Sequence, residues 1–162
     1  MPFDAFWTSL ENLPIAARIA ESAWFPFLES IHVITAAFVL GSILMVDLRL
    51  LGLAARHHPV SRVTKEVVPW TLGACAFSVL TGLGMFITRA SFYVDNRAFQ
   101  IKMALLVLAG INMAVFHLVT ARGIARWDTA TATPAASRFA GAFSLLLWIG
   151  IMLAGRWTGH LL

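Results

Sequence analysis

Four long apolar segments, separated by short polar connections, dominate the pattern of hydrophobic and polar positions along the chain. They cover residues 24–46, 67–88, 99–120 and 139–157. Each is close to the roughly 20 residues that an α-helix needs to cross the hydrocarbon core of a bilayer. The pattern therefore predicts an all-α integral membrane protein, a four-helix bundle that forms a single transmembrane domain over residues 1–162.

A short interfacial helix is predicted ahead of the first span, over residues 14–22. Pro14 suits its first turn, and Phe3, Phe6 and Trp7 indicate that the preceding segment lies in the membrane interface. The N-terminus starts with acidic and aromatic residues and has no basic stretch. We therefore expect no cleaved signal peptide.

The composition supports the membrane interpretation. Hydrophobic residues make up 59% of the chain and charged residues 12%. A typical soluble domain is about half hydrophobic and about a quarter charged. A chain this short has too much surface to bury that excess, so the lipid bilayer is its expected partner. The net charge of +4 is spread over the connections, which argues against a nucleic-acid partner. The single cysteine, Cys75, excludes a disulfide framework within one chain.

Lysine and arginine residues set the expected orientation. The two connections that follow the first and third spans carry Arg49, Arg56, Arg62, Lys65, Arg122, Arg126 and Arg138, and the opposite side carries Arg18, Arg89, Arg97, Lys102 and Arg156. By the positive-inside rule, both termini are predicted to be periplasmic in a bacterial inner (cytoplasmic) membrane.

Ionisable side chains are rare inside the predicted spans. Those within spans are Glu29, His32, Lys102, His117 and Arg156, with Asp47, Arg49 and Arg89 at span ends. Such residues are costly in lipid, tend to face the bundle interior and are functional candidates by default. Glu29 lies one turn before His32 on the same helix face, which makes it a candidate to orient the imidazole.

We interpret His32 and His117 as candidate metal ligands, each able to anchor a b-type haem. Gly110, on the same helix face as His117, offers room for a flat macrocycle. The two histidines lie in spans that run in the same direction, and at 1.5 Å per residue their depths differ by roughly 10–15 Å. Because the axial ligands of one iron lie at nearly the same depth, we expect separate sites, with one or two haems bound.

Three cations, Arg89, Lys102 and Arg156, are expected near the depth of His32. They suit the two propionates of a haem or another anionic head group. Candidate second ligands are His160, Met85 and Met152 beside His32, and His57, His58 and Met45 beside His117. Histidine–histidine or histidine–methionine ligation fills both axial positions of the iron and favours electron transfer.

These residues predict a membrane b-type cytochrome-like redox protein that exchanges electrons with the quinone pool and a redox partner protein. The alternative is a non-enzymatic small transporter or anchor subunit, in which the histidines make interhelical hydrogen bonds or line a proton or anion pathway. No HExxH, GxSxG, CxxC or Gly-rich phosphate motif assigns an enzymatic activity. Either protein could form a homo-oligomer.

The chain resembles an uncharacterised bacterial family of four-helix inner-membrane proteins of about this length. The similarity is carried by residues 24–53, PWTLGACAF from Pro69, FQIKMALL from Phe99, NMAVFH up to His117, and SLLLWIGIMLAGRW up to Trp157. It covers nearly the whole chain and implies the four-helix fold without an established function.

The first span is also similar, more distantly, to the first helix of HemJ-type protoporphyrinogen oxidases and CopD-type copper-resistance membrane proteins. The matching positions are His32, Gly41 and Arg49. The first-helix histidine of the HemJ type is implicated in haem binding, so the resemblance implies the same role for His32. The HemJ-type Tyr-Leu-Pro run before the arginine is absent, so the oxidase activity is not implied.

Overall fold

All regular secondary structure in the described part of the chain, residues 2–55, 57–128 and 133–159 of the computed structural model, is helical. This confirms the predicted fold class. The α-helices are α1 (Pro2–Glu11), α2 (Pro14–Ala20), α3 (Trp24–Leu50), α4 (Val60–Phe86), α5 (Ala90–Asp95), α6 (Arg97–Leu118) and α7 (Ala135–Trp157), and a 3-10 helix covers Thr120–Arg126.

Four of these helices, α3, α4, α6 and α7, are long and apolar enough to cross a membrane. Most of their apolar side chains are exposed on the outside of the bundle, Trp70 and Phe139 among them. In water such a surface would drive aggregation, whereas in a bilayer it faces lipid. The protein is therefore a multi-pass membrane protein, as predicted.

The spanning helices pack as two antiparallel hairpins. α3 packs along α4, α6 packs along α7, and the hairpins meet where α3 contacts α7. Gly141 permits this contact, because a Cβ there would lie 3.1 Å from Leu50 Cβ and 3.2 Å from the Asp47 carbonyl oxygen. We call the end of the bundle that carries α1, α5 and the start of α6 the terminal end, and the opposite end the loop end.

The helices extend beyond the predicted spans at the loop end. α4 begins at Val60 instead of residue 67, and α7 begins at Ala135 instead of residue 139. Hydropathy marks where lipid contact begins, whereas the start of a helix depends on how its first backbone N–H groups are paired. The difference in bounds therefore reflects polar first turns that stand outside the hydrocarbon core.

Arg49 joins the two connections at the loop end. Its side chain is only 1% exposed. Nε donates a hydrogen bond to the His58 carbonyl at 2.8 Å, and Nη2 donates to the Asp128 carbonyl at 3.3 Å. The Asp128 carboxylate in turn accepts from the Ser61 N–H at 2.7 Å and from the Ser61 hydroxyl. Asp128 thus caps the N-terminus of α4 from a different connection.

We expect the Asp128 cap to make stability depend on pH. Burial acts to raise the pKa of Asp128, but hydrogen bonds from Ser61 and Val60 and the charge of Arg49 outweigh it, and the pKa lies below its ordinary value. A carboxyl of this kind stabilises the fold above its unfolded pKa of about 3.9, and the contribution is lost as pH falls through the lower folded value.

The free energy of unfolding of Asp128→Ala should therefore be about 1 kcal/mol lower than that of the wild type at pH 7. Unfolding in detergent, followed by circular dichroism, should show this difference shrink as the pH falls below about 4. Glu21→Ala, at an exposed carboxylate, is the control and should match the wild type. A difference of the same size at pH 7 and pH 3 would contradict the capping role.

An aromatic cluster closes the terminal end. Phe86 stacks on Tyr93 and Phe99 at ring-centroid distances of 6.0 Å and 5.7 Å, and Trp7 meets Phe86 edge-on at 5.9 Å. Glu11 fixes α1 against α5, since its carboxylate accepts a hydrogen bond from the Ser91 N–H at 2.7 Å. We call Trp7, Phe86, Tyr93 and Phe99 the aromatic cap.

Candidate functional site

The imidazole of His32 lies between α3 and α4. Its Nδ1 is 2.8 Å from the Ser78 carbonyl oxygen and 3.2 Å from the Thr81 hydroxyl. The Thr81 hydroxyl itself donates back to the Phe77 carbonyl at 2.9 Å, a local bond that Thr commonly makes in helices. Because a carbonyl only accepts, Nδ1 carries the proton, and Nε2 keeps its lone pair.

Lys102 faces this lone pair from α6. Its Nζ lies 3.5 Å from His32 Nε2, so the ammonium donates towards the imidazole. Asn96 fixes the position of Lys102 along the bundle axis. The Asn96 side chain accepts a hydrogen bond from the Phe99 N–H at 3.1 Å, at the start of α6, and donates one to the Thr158 carbonyl at 3.1 Å. A histidine and a lysine from different spans therefore meet inside the bundle.

Two glycines flank the pair. A Cβ at Gly82 on α4 would lie 3.1 Å from His32 Cε1, and a Cβ at Gly155 on α7 would lie 3.6 Å from Lys102 Nζ. All four spanning helices thus contribute to one layer. We call His32, Ser78, Thr81, Gly82, Lys102 and Gly155 the His–Lys site.

The aromatic cap covers the His–Lys site on the side of the terminal end. Phe86 lies one turn beyond Gly82 on α4, and Phe99 lies about one turn before Lys102 on α6. One turn rises about 5 Å along a helix, so the rings form the next layer towards the aqueous surface. This layer stands between the half-buried imidazole and amine and the aqueous surface at the terminal end.

The remaining residues predicted near His32 lie at or near the terminal end. Glu29, Arg89 and Arg156 are exposed. The pKa of Tyr93 is raised by burial, with Arg89 acting to lower it and Glu29 to raise it, so both charges lie close to the aromatic cap. The orienting contact for His32 comes from Ser78, since the described bonds of the ring do not involve Glu29. His160 lies outside the described residues.

His117 lies apart from the His–Lys site. It is exposed on α6, and its ring meets the Phe116 ring edge-on at 5.4 Å. It follows Lys102 by about four helical turns, roughly 22 Å along the axis. That distance is larger than the roughly 10–15 Å expected from the sequence, and it likewise excludes one iron shared by both histidines.

Comparison with known proteins identifies the family. The sequence profile of a family of unknown function, DUF6644, matches residues 6–161. The chain belongs to this family. No curated protein and no solved structure matches it. The DUF6644 match spans all four membrane helices, and therefore every residue of the His–Lys site.

Sequence reasoning missed Ser78 and Thr81 as partners of His32. Their signal is present in this DUF6644 chain: positions 78, 81 and 82 are spaced i, i+3 and i+4, which places a hydroxyl, a hydroxyl and a glycine on one face of an otherwise apolar helix. In lipid, such a face is typical of contact with a polar group on a neighbouring helix.

Proposed function

We propose that the chain is a b-type haem redox protein of the bacterial inner (cytoplasmic) membrane, with His32 Nε2 as an axial ligand. The observation that carries the proposal is the Nδ1 hydrogen bond to the Ser78 carbonyl at 2.8 Å. Histidines that bind metals almost always donate their other ring N–H to a carbonyl or carboxylate, which fixes the tautomer and the ring orientation.

The donor set fits a haem better than a bare metal ion. Among residues 2–55, 57–128 and 133–159, no group of three or more His, Cys, Asp or Glu side chains could hold a metal ion. A haem brings four nitrogen ligands of its own, so the protein needs to supply only axial ligands. Gly82 and Gly155 let α4 and α7 pack closely against the side chains of His32 and Lys102, since a Cβ at either position would lie within 4 Å of them.

The surrounding residues have distinct roles in this proposal. Ser78 and Thr81 hold the imidazole, and the aromatic cap limits access of water, which tunes the potential of a redox centre. Arg89 and Arg156, exposed at the terminal end, would pair with the propionates. When bound, the haem supplies one-electron chemistry.

Electron exchange would occur with a lipid-soluble quinone and with a redox partner protein. The lipid-exposed faces of the four spans suit a quinone that approaches through the bilayer. The excess of lysine and arginine in the loop-end connections predicts that this end faces the cytoplasm. Both termini and the His–Lys site would then lie on the periplasmic side. The role proposed for His32 is the one that a resemblance to HemJ-type proteins would imply for its first-helix histidine. Arg49, the other position of that resemblance, instead joins the connections at the loop end.

A proton or anion pathway is the second candidate function. The observation that favours it is Lys102 Nζ, which stands at hydrogen-bonding distance from the Nε2 lone pair. An amine and an imidazole inside a membrane can pass a proton or attract an anion without a cofactor. Haem content separates the two candidates, since this function needs no haem.

Two histidine variants test the haem proposal. His32→Ala should lose at least nine-tenths of the bound haem, measured by the pyridine haemochrome assay per mole of folded protein. His117→Ala is the matched control for the His32 site, because it removes an exposed histidine near the loop end. It should keep the wild-type ratio if one haem is bound, and should keep the His32 haem and lose only the second if two are bound. Equal haem content in His32→Ala and wild type would overturn the proposal.

A further inference from the structure

We infer that Asp47 is a proton-binding site that controls whether the two hairpins are packed together at the loop end. The Asp47 side chain is 5% exposed and lies where α3 meets α7. The inference does not rest on haem, because Asp47 follows His32 by 15 residues, about 22 Å along α3. Met45, the nearest candidate iron ligand, is 58% exposed, and residues two apart do not share a helix face.

The hydrogen bonds of the Asp47 carboxyl are too few for a charged group. Ser144 on α7 donates its hydroxyl to the carboxyl, while Oδ2 is buried and has no partner among the residues that the structure describes. An ionised carboxylate only accepts, and it has about four sites for hydrogen bonds. A charge buried with so few partners is costly, so this arrangement favours the neutral carboxyl.

No described cation compensates a charge at Asp47. Arg49, on the same helix, directs its guanidinium to two backbone carbonyls at the loop end, and the Asp128 carboxylate caps α4. The other charged or titratable residues near the loop end are exposed: His57 and His58 after α3, Arg62, Lys65 and Glu66 on α4, His117 on α6, Arg122 in the 3-10 helix and Arg138 on α7. Within the described ranges, the salt bridge at this end joins Arg62 to Glu66 and leaves Asp47 without a cation.

The helix dipole also disfavours a carboxylate at Asp47. The residue stands about one turn before the end of α3 at Leu50, and the carbonyl end of a helix carries partial negative charge. A proton neutralises the carboxyl and needs no further ligand. A metal ion would need more, and in the described part of the chain no group of three or more His, Cys, Asp or Glu side chains could hold one.

Loss of the proton would separate the loop ends of α3 and α7. The two helices are in close contact here, since a Cβ at Gly141 would lie 3.2 Å from the Asp47 carbonyl oxygen. A carboxylate needs hydrogen-bond donors that the packed helices do not supply, and water is the nearest source of them. Water reaches Oδ2 when the start of α7 moves away from α3, and the proton leaves to the aqueous phase at the loop end.

Infrared spectroscopy of the folded wild type at pH 7 tests the protonation. It should show the C=O stretching band of a protonated carboxyl, and the band should shift when the aspartate carboxyl carbons are labelled with carbon-13. The other aspartates of the chain are ionised at this pH, because Asp4 and Asp95 are exposed and Asp128 is held as a carboxylate. The label therefore assigns the band to Asp47 without any substitution.

Three variants locate the band. Asp47→Asn should lose it. Ser144→Ala should keep it at a higher frequency, because the carboxyl loses its hydrogen-bond donor, a change that a purely structural role for Ser144 elsewhere would not cause. Glu66→Gln, at an exposed carboxylate, is the control and should leave the band unchanged.

Distances between spin labels test the control of helix packing. Labels at Leu53→Cys and Phe139→Cys, both exposed positions, report the separation of the loop ends of α3 and α7 in a Cys75→Ala background. When the pH is raised until the carboxyl band disappears, the distances should become longer. With Asp47→Asn added, the distances should stay short throughout, because this side chain cannot ionise.

Three results would overturn the inference. The first is a folded wild type without an aspartate C=O band at pH 7. The second is a band that disappears at constant pH when sodium replaces potassium in the buffer, since it would indicate a sodium site. The third is a distance that does not change when the band is lost. Haem content decides the proposed function and has no bearing on these results.

Discussion

Replacement of Arg49 by methionine is expected to lower the free energy of unfolding by about 2–4 kcal/mol. The guanidinium is buried and donates to the carbonyls of His58 and Asp128. Methionine retains an apolar stem of similar length but donates nothing, so both carbonyls lose a partner. A buried polar group left without its hydrogen bond costs about 1–3 kcal/mol. Of the described bonds, only those from Ser61 and Val60 to Asp128 would still join the two connections.

Unfolding of the purified protein in mixed detergent micelles measures this effect. Arg62→Met is the matched control, because Arg62 pairs with Glu66 at 2.9 Å while both side chains are more than 60% exposed. Removal of such a surface pair changes stability by at most about 1 kcal/mol. If Arg49→Met unfolded at the same denaturant concentration as Arg62→Met, Arg49 would not hold the loop end together.

Gly82→Leu is expected to eliminate haem binding and to destabilise the bundle by about 1–3 kcal/mol through overpacking. A Cβ at this position would already lie 3.1 Å from Cε1 and 3.4 Å from Nδ1 of His32. A full leucine side chain must push the imidazole away from the Ser78 carbonyl. The ring then loses the hydrogen bond that fixes its tautomer.

Gly73→Leu on the same helix is the control for Gly82→Leu. No atom lies within 4 Å of a Cβ built at Gly73, while the gain in helix propensity from glycine to leucine is the same in both variants. Haem content and the free energy of unfolding should be measured for both variants. The difference between them reports the effect of the contact with His32. If Gly82→Leu bound haem at the wild-type level, haem binding would not require the present position of the His32 imidazole.

The spans could be predicted from the sequence because the bilayer imposes a local requirement. About 20 consecutive apolar residues are needed wherever a helix crosses lipid, and the chain has four such stretches. The short helices α1 and α5 and the start of α4 were not predicted. Their positions depend on distant partners, such as Glu11 for α5 and Asp128 for α4.

The common depth of His32 and Lys102 was expected from the sequence, but their direct contact could not be predicted from it. α3 and α6 are apolar on all sides, because their lipid-facing and core-facing side chains are both hydrophobic. No amphipathic stripe therefore sets the rotation of either helix about its own axis. For the same reason the sequence did not reveal that His117 is exposed while Lys102 faces the bundle interior.

The absorption spectrum of the purified wild-type protein, as isolated and after dithionite reduction, tests the central claim most directly. The protein should be produced in haem-replete cells and shown to be folded by circular dichroism. The account predicts a Soret band that shifts on reduction, with sharp α and β bands of a six-coordinate b-type haem. A folded protein without visible absorption would contradict it and favour a proton or anion pathway through the His–Lys site.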